Sequence, residues 1–344
     1  MKQILVILDG LSEEGVKELD YMTPLQYAYT PIIDELIHQG KYEKKSFYVS
    51  DRKTDSLSCI LSILGVRDEF IPKNRAYVEA LAANIDVDDD ESVLRCNLVK
   101  INNGRLESFN GGGLSNEEME NAAKRIRADE KIRFHHISGY RNIVVAKKSD
   151  EILTAGSYPP HEHMGESMEI LLRDINKVDA LRDFVENNSF SVGNDEYMFY
   201  PWGASEKVEL PTFYNLHKRT CSCICSAEVV KGIAKLMDMD IPVLKRATAD
   251  IDTDLKEKAE AVLNEIKNHD TVVVHINGTD EVSHRKDTFG KVKFIEQIDR
   301  EFLSDIYENV EENTVITILA DHMTSSVTGV HENGPVDVIK AIKR

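Results

Sequence analysis

Carboxylate and imidazole side chains gather at three places along the 344-residue chain, each just past an apolar run. Asp9-Gly10 follows QILVIL, Asp280 and His284 follow TVVVHI with a spacing of four, and Asp321-His322 follows TVITILA, with His331 in the loop beyond. Oxygen and imidazole donors of this kind suit Mn²⁺ or Zn²⁺, and the set is large enough for two ions. The absence of a cysteine pair at these positions argues against a structural Cys-rich zinc site. Taken singly, an Asp at a strand end is an ordinary cap and Asp-x-x-x-His a chance pairing. Convergence of three strand ends is what carries the assignment. A nucleophile candidate lies in TDSLSCILSILG: a helix starting at Ser56 puts that hydroxyl at a helix N-terminus, where free N–H groups and the dipole stabilise a phosphate. The bland alternative is that Ser56 or Asp55 is only an N-cap. A divalent metal nearby changes the balance, because it lowers the hydroxyl pKa.

The runs at 3 to 8, 271 to 276 and 314 to 320 read as strands buried on both faces. Between them lie helices. One opens at Thr30-Pro31 and closes at Gly40, with Pro at the first helical position and Gly able to take positive φ. Others start at Ser226 and Thr253. Such alternation predicts an α/β fold, a mostly parallel sheet with helices on both faces, whose ligands bind beyond the carboxyl ends of the strands. The middle differs. Residues 92 to 101 and 105 to 109 flank Asn102-Asn103-Gly104, and residues 132 to 137 and 141 to 147 flank Ser138-Gly139-Tyr140, which predicts two hairpins. Between the hairpins, Ser115 and Glu118 form a capping box. The expected organisation is a metal-binding core at 1–89 and 196–344, with a smaller α+β substrate-binding or lid domain inserted at 90–195.

With 42 basic and 60 acidic residues the formal charge is −18, and no block of Lys and Arg appears. A nucleic-acid partner is therefore not expected. The first apolar run is too short for a membrane span or a signal peptide, so no membrane association is expected. Five cysteines, three of them at alternate positions 221, 223 and 225, make no disulfide framework. A reducing, cytoplasmic setting is expected.

ILVILDG, then Met22-Thr23-Pro24-Leu25-Gln26-Tyr27-Ala28-Tyr29-Thr30-Pro31, IIDELIHQGK and LSILG together resemble the opening of the archaeal-type cofactor-independent phosphoglycerate mutases, of the alkaline phosphatase-like superfamily. The likeness continues through Arg95-Cys96-Asn97-Leu98-Val99, Gly139-Tyr140-Arg141, Pro159-Pro160-His161-Glu162, Ser226-Ala227 and Asp250-Ile251-Asp252-Thr253. The resemblance implies that Ser56, six residues before the Ser-Ile-Leu-Gly element, is phosphorylated in turnover. It implies Asp9, Ser56, Asp321 and His322 around one ion and Asp280, His284 and His331 around another. All seven positions are filled, which speaks against a catalytically dead relative. The implied reaction is interconversion of 3-phosphoglycerate and 2-phosphoglycerate, a small phosphorylated acid, without 2,3-bisphosphoglycerate. The chain also departs from the family pattern, with Asp55-Ser56-Leu57 at the nucleophile, Val66-Arg67-Asp68 after the helix, Asn74-Arg75-Ala76-Tyr77-Val78 beyond it, and Ala204-Ser205-Glu206 after Trp202-Gly203.

Cations are needed to hold such a substrate, and Arg95 and Arg141 fall in family-like motifs, with His161 as a further contact. His163 shares that loop, and His135-His136 must point to opposite faces of their strand. The three alternate cysteines read as a core-facing stripe and Trp202 as a packing anchor. Two rivals to mutase chemistry stand: a phosphatase or mutase acting on another phosphorylated metabolite, and a noncatalytic metal-bound binding protein.

Overall fold

The apolar runs expected as buried strands are strands, and they lie side by side. The computed structural model describes residues 1–49 and 54–344, and its strands begin with β1 (Gln3–Leu8) and β2 (Lys41–Lys45). Next come β3 (Glu91–Asn102), β4 (Arg105–Ser108), β5 (Ile132–Ser138), β6 (Arg141–Lys147), β7 (Ser189–Val192) and β8 (Asp195–Glu206). The chain finishes with β9 (Cys221–Ile224), β10 (Thr271–Ile276), β11 (Val315–Leu319), β12 (Met323–Thr324), β13 (His331–Glu332) and β14 (Val336–Ile342). Two compact units result: Met1–Ile71 with Leu210–Arg344, and Pro72–Glu209.

In the first unit the sheet order is β2-β14-β11-β1-β10-β9. β1 runs parallel to both neighbours, with Leu8 opposite Ile276 and Ile7 opposite Leu319. Their carboxyl ends therefore emerge together, so the residues after each strand share one edge. β-branched side chains fill these strands, and every residue of β10 is buried. β14 pairs antiparallel with β11, and β2 antiparallel with β14, extending the parallel sheet by two strands. β2 carries no apolar alternation: KYEKK is exposed throughout, a lysine-rich edge of the kind that resists further pairing. The helix after Thr30 spans Pro31–Gln39 and ends at Gly40. Gly40 does not adopt the positive φ expected of it; its φ is −130°. Close approach explains the glycine instead, since a Cβ there would lie 2.2 Å from the carbonyl oxygen of Lys340 on β14. Cys221, Cys223 and Cys225 are buried free thiols at β9.

The second unit is an antiparallel sheet, β5-β6-β3-β8-β7, with β4 paired to β3. Asn103-Gly104 and Gly139 turn its hairpins at positive φ. Ser115 and Glu118 cap the helix Asn116–Ala123 reciprocally. The unit is longer than residues 90–195 at both ends, because β8 runs on until Glu206 pairs with Ser92, and the helix Ala76–Ala82 joins it. There Tyr77 N donates to Ser205 Oγ (2.7 Å) and Asn74 Nδ2 to the Ala204 carbonyl (2.7 Å). Those bonds join two of the segments that depart from the family pattern. Among the described residues no helix is long and apolar enough to cross a membrane.

Candidate metal centre

Beyond the carboxyl ends of β1 and β11 two buried carboxylates face each other, and one oxygen of Asp321 is held by backbone donors. Asp321 Oδ1 accepts the backbone N–H groups of Gly10 (3.2 Å) and His322 (2.9 Å). Asp9 Oδ2 lies 3.1 Å from His275 Nε2, a buried imidazole on β10. The second oxygens, Asp9 Oδ1 and Asp321 Oδ2, are buried without a hydrogen-bond donor among the described residues. Both approach His322 Nε2, at 3.2 and 3.4 Å. Burial, then the negative charges of Asp321 and Asp280, push the Asp9 carboxyl well above the usual carboxylate range. Unneutralised buried carboxylates in such a pair call for a cation.

The second cluster grows from the helix Gly278–His284, where Asp280 and His284 are four apart and share one face. His284 Nε2 lies 3.0 Å from Asp280 Oδ2, while His331 Nε2 lies 3.4 Å from Asp280 Oδ1 and 3.2 Å from His284 Nε2. The other ring nitrogen of each histidine meets a carbonyl: His284 Nδ1 is 2.8 Å from Gly329 O and His331 Nδ1 is 3.1 Å from Thr54 O. A carbonyl only accepts, so Nδ1 carries the hydrogen and both Nε2 atoms turn toward Asp280. The hydrogen bond to Asp280 raises His284 to about 9 against the pull of burial. For His331 burial works downward, and the bond to Asp280 outweighs it, leaving the group raised. Burial works upward on Asp280, yet its histidine partners hold it well below the usual range. Carboxylate and imidazole donors converging this closely fit a divalent ion.

Ser56 is the first residue of the helix Ser56–Ile63, and its Oγ lies 3.2 Å from His322 Nε2. The N-cap is Asp55, not Ser56: Asp55 Oδ1 accepts from Ser58 N and from Ser58 Oγ, both at 2.7 Å. The Ser58 hydroxyl is thus tied to the cap, and that of Ser56 turns to the cluster. All seven side chains singled out in the sequence are brought together in the first unit. The two sets are contiguous, because donor atoms of Asp280, His322 and His331 lie within 4.8 Å of one another, as do those of Asp9, Asp321 and His322.

A family model described as the metalloenzyme superfamily matches residues 1–343. The chain belongs to that superfamily. Among curated relatives of this metalloenzyme is a 2,3-bisphosphoglycerate-independent phosphoglycerate mutase of Methanosarcina barkeri, 26% identical over 98% of this chain and 89% of the relative. One of the same name from Methanopyrus kandleri is 28% identical over 98% and 87%. The resemblance drawn from the motifs is therefore borne out. Among solved structures, the PH0037 protein of Pyrococcus horikoshii shares the fold with a TM-score of 0.77 at 23% identity, over 99% of this chain and 87% of the other. A cofactor-independent phosphoglycerate mutase from Thermoplasma acidophilum shares it at 0.60 and 19% identity, over 99% and 89%.

The residues expected to read substrate lie in the metalloenzyme's second unit. Arg95, on β3, stacks on Trp202 with its guanidinium 4.1 Å from the ring centroid, and its Nε meets Glu79 at 2.9 Å. His161 packs edge-on against the same indole at 5.7 Å. Arg141 opens β6, exposed, and donates to Ser138 Oγ. Trp202 is buried in that unit's core and donates to Asn97 Oδ1. Three features of the centre escaped the sequence reading: His275 behind Asp9, Thr324 between Asp280 and His322, and a buried pair of Glu13 with Lys291 at 3.5 Å. Only the histidine left a trace, as a polar residue inside an otherwise apolar strand.

Proposed function

We propose that this metalloenzyme transfers a phosphoryl group through Ser56 and interconverts 3-phosphoglycerate and 2-phosphoglycerate. The observation that carries the proposal is the Ser56 hydroxyl, freed from capping by Asp55 and 3.2 Å from His322 Nε2 within the converged ligand set. Asp9, Ser56, Asp321 and His322 would hold one divalent ion and Asp280, His284 and His331 the other. Mn²⁺ or Zn²⁺ bound there would supply Lewis acidity, lowering the pKa of the Ser56 hydroxyl and neutralising charge on phosphoryl oxygens. Ser56 Oγ attacks phosphorus, the ester bond to glycerate breaks, and the serine proton leaves with the glycerate oxygen. The other glycerate hydroxyl then attacks phosphorus, the bond from phosphorus to Ser56 Oγ breaks, and the proton of that hydroxyl returns to Ser56 Oγ. A mutase must retain glycerate and exclude water meanwhile, a task that falls to the inserted domain with Arg95, Arg141 and His161.

The chemistry at Ser56 is common to mutase and phosphatase, and the altered segments at 66–68, 74–78 and 204–206 are what favour a phosphatase as the second reading. One assay separates them: 3-phosphoglycerate with added Mn²⁺, scoring 2-phosphoglycerate and free phosphate independently. Isomer without phosphate supports the proposal. Phosphate from many esters with no isomer replaces it, and no turnover of any phosphorylated metabolite points to the noncatalytic binding protein.

A further inference from the structure

We propose that Thr324 is a positioning residue that locks the two ligand sets of the centre together through one hydroxyl; the proposal rests on the metal-centre reading above. Thr324 Oγ1 lies 2.6 Å from Asp280 Oδ1 and 3.1 Å from His322 Nδ1. A carboxylate only accepts, so the hydroxyl hydrogen goes to Asp280. The remaining lone pair of Oγ1 then faces His322, and Nδ1 must carry the ring hydrogen. In the neutral ring this puts the lone pair on His322 Nε2, the nitrogen beside Asp9 Oδ1, Asp321 Oδ2 and Ser56 Oγ. One hydroxyl therefore orients a carboxylate of the Asp280 set and an imidazole of the Asp9 set. It does for His322 what the Gly329 and Thr54 carbonyls do for His284 and His331.

The backbone of Thr324 is fixed on both sides. Its N–H donates to Ser12 O (3.0 Å), and its carbonyl accepts from the buried Lys291 ammonium (2.8 Å). Glu13, beside Lys291, in turn accepts from the backbone N–H and the hydroxyl of Ser326, two residues on. Below it sits Gly10, where a Cβ would lie 2.6 Å from Thr324 Oγ1 and 2.7 Å from Asp280 Oδ1. A hydroxyl is not needed merely to fill this buried space, because valine has the same shape.

The test compares full-length wild type, Thr324→Val and Thr324→Ser by Mn²⁺ titration followed by electron paramagnetic resonance, and by ¹⁵N NMR of the His322 ring without added metal. Wild type should bind two ions and show His322 protonated on Nδ1. Thr324→Val should lose that ring signature and weaken both binding steps by about 10- to 100-fold, the range for lost partners of metal-ligating side chains. Thr324→Ser should restore both to within about threefold. Circular dichroism establishes that each variant folds, and Thr324→Ala replaces the valine variant if valine does not pack. Wild-type affinity with an unchanged His322 spectrum in Thr324→Val, or a serine variant no better than valine, overturns the proposal. A wild-type protein that does not take up two ions, or a His331→Ala variant that binds as many as wild type, overturns the metal-centre reading and this proposal with it.

Discussion

His322 organises the centre at the scale of single residues, since its Nε2 is the common neighbour of Asp9, Asp321 and Ser56. Gly10 is the clearest case of a residue whose identity the geometry dictates. Its φ is +61°, and a Cβ would press on the Thr324–Asp280 pair. Gly10→Ala is expected to lose at least ~1–2 kcal/mol from the left-handed backbone alone, and to weaken Mn²⁺ binding; urea unfolding and metal titration measure the two effects. For the nucleophile, phosphopeptide mapping after a rapid quench should find phosphate on Ser56 in wild type and in Ser58→Ala, and none in Ser56→Ala. Phosphate on Ser58 in Ser56→Ala would make Ser58 the nucleophile in place of Ser56. Asp9, Asp321 and His322 stood out in the sequence as polar residues just past an apolar strand, Asp280 and His284 by their spacing of four after another, and His331 by its place soon after Asp321-His322. Thr324 was not, because a threonine next to a strand end carries no spacing signal, and its value depends on where Asp280 and His322 meet in space. Ser56 could be placed at a helix start, but only the bond from Ser58 to Asp55 decides which residue caps and which is released.

Elements supply the leverage that holds those residues. The helix Thr288–Ile298 delivers Lys291 to the Thr324 carbonyl, where Glu13 is its buried counter-ion. Lys291→Met leaves Glu13 uncompensated and is expected to destabilise the fold by about 3–5 kcal/mol, with Glu13→Gln in the same chain recovering part of the loss. Urea midpoints of parent, single and double variants check this. The helix Leu255–Glu265 buries a second lysine, Lys258, which donates to Ser226 Oγ and His275 O. Burial lowers it from 10.5 to about 8, opposed by nearby Cys225 and Cys223. Between those values the unfolded chain binds more protons than the folded one, so the cost of the buried charge is fully present below pH 8 and fades as pH rises toward 10.5. Relative to Lys258→Met, wild type should gain up to about 1.4 kcal/mol per pH unit across that window, read from urea unfolding at three pH values. Among elements, β1, β10 and β11 were legible because both faces are buried and the pattern is continuous. β2 was not, because an exposed edge strand needs no apolar residue and its place is set by pairing with β14, nearly three hundred positions away.

For the whole molecule, the proposed metal centre predicts a coupling between ions and stability. Adding Mn²⁺ to chelator-treated protein at about a hundred times its Kd should raise unfolding free energy by about 2.7 kcal/mol per site, and Asp280→Ala should remove part of that gain. Calorimetry with and without chelator reads it; a melting temperature indifferent to metal would contradict the ligand assignment. The α/β class and the two hairpins were legible from period and turn chemistry, whereas the extent of the inserted unit was not, since β8 only begins at Asp195 and its place beside β3 and β7 is set by pairing. The position of β1 has a further consequence, for the order in which the protein comes into being. Its partners are residues 271–276 and 315–319, so β1 must wait until those distant segments have been made before either side can pair. The sheet of the second unit draws every strand from 91–206 and has no such delay. On the ribosome that sheet has all its strands while β1 is still an unpaired apolar ribbon, and it is during this interval that a chaperone would find the nascent chain in most need of cover.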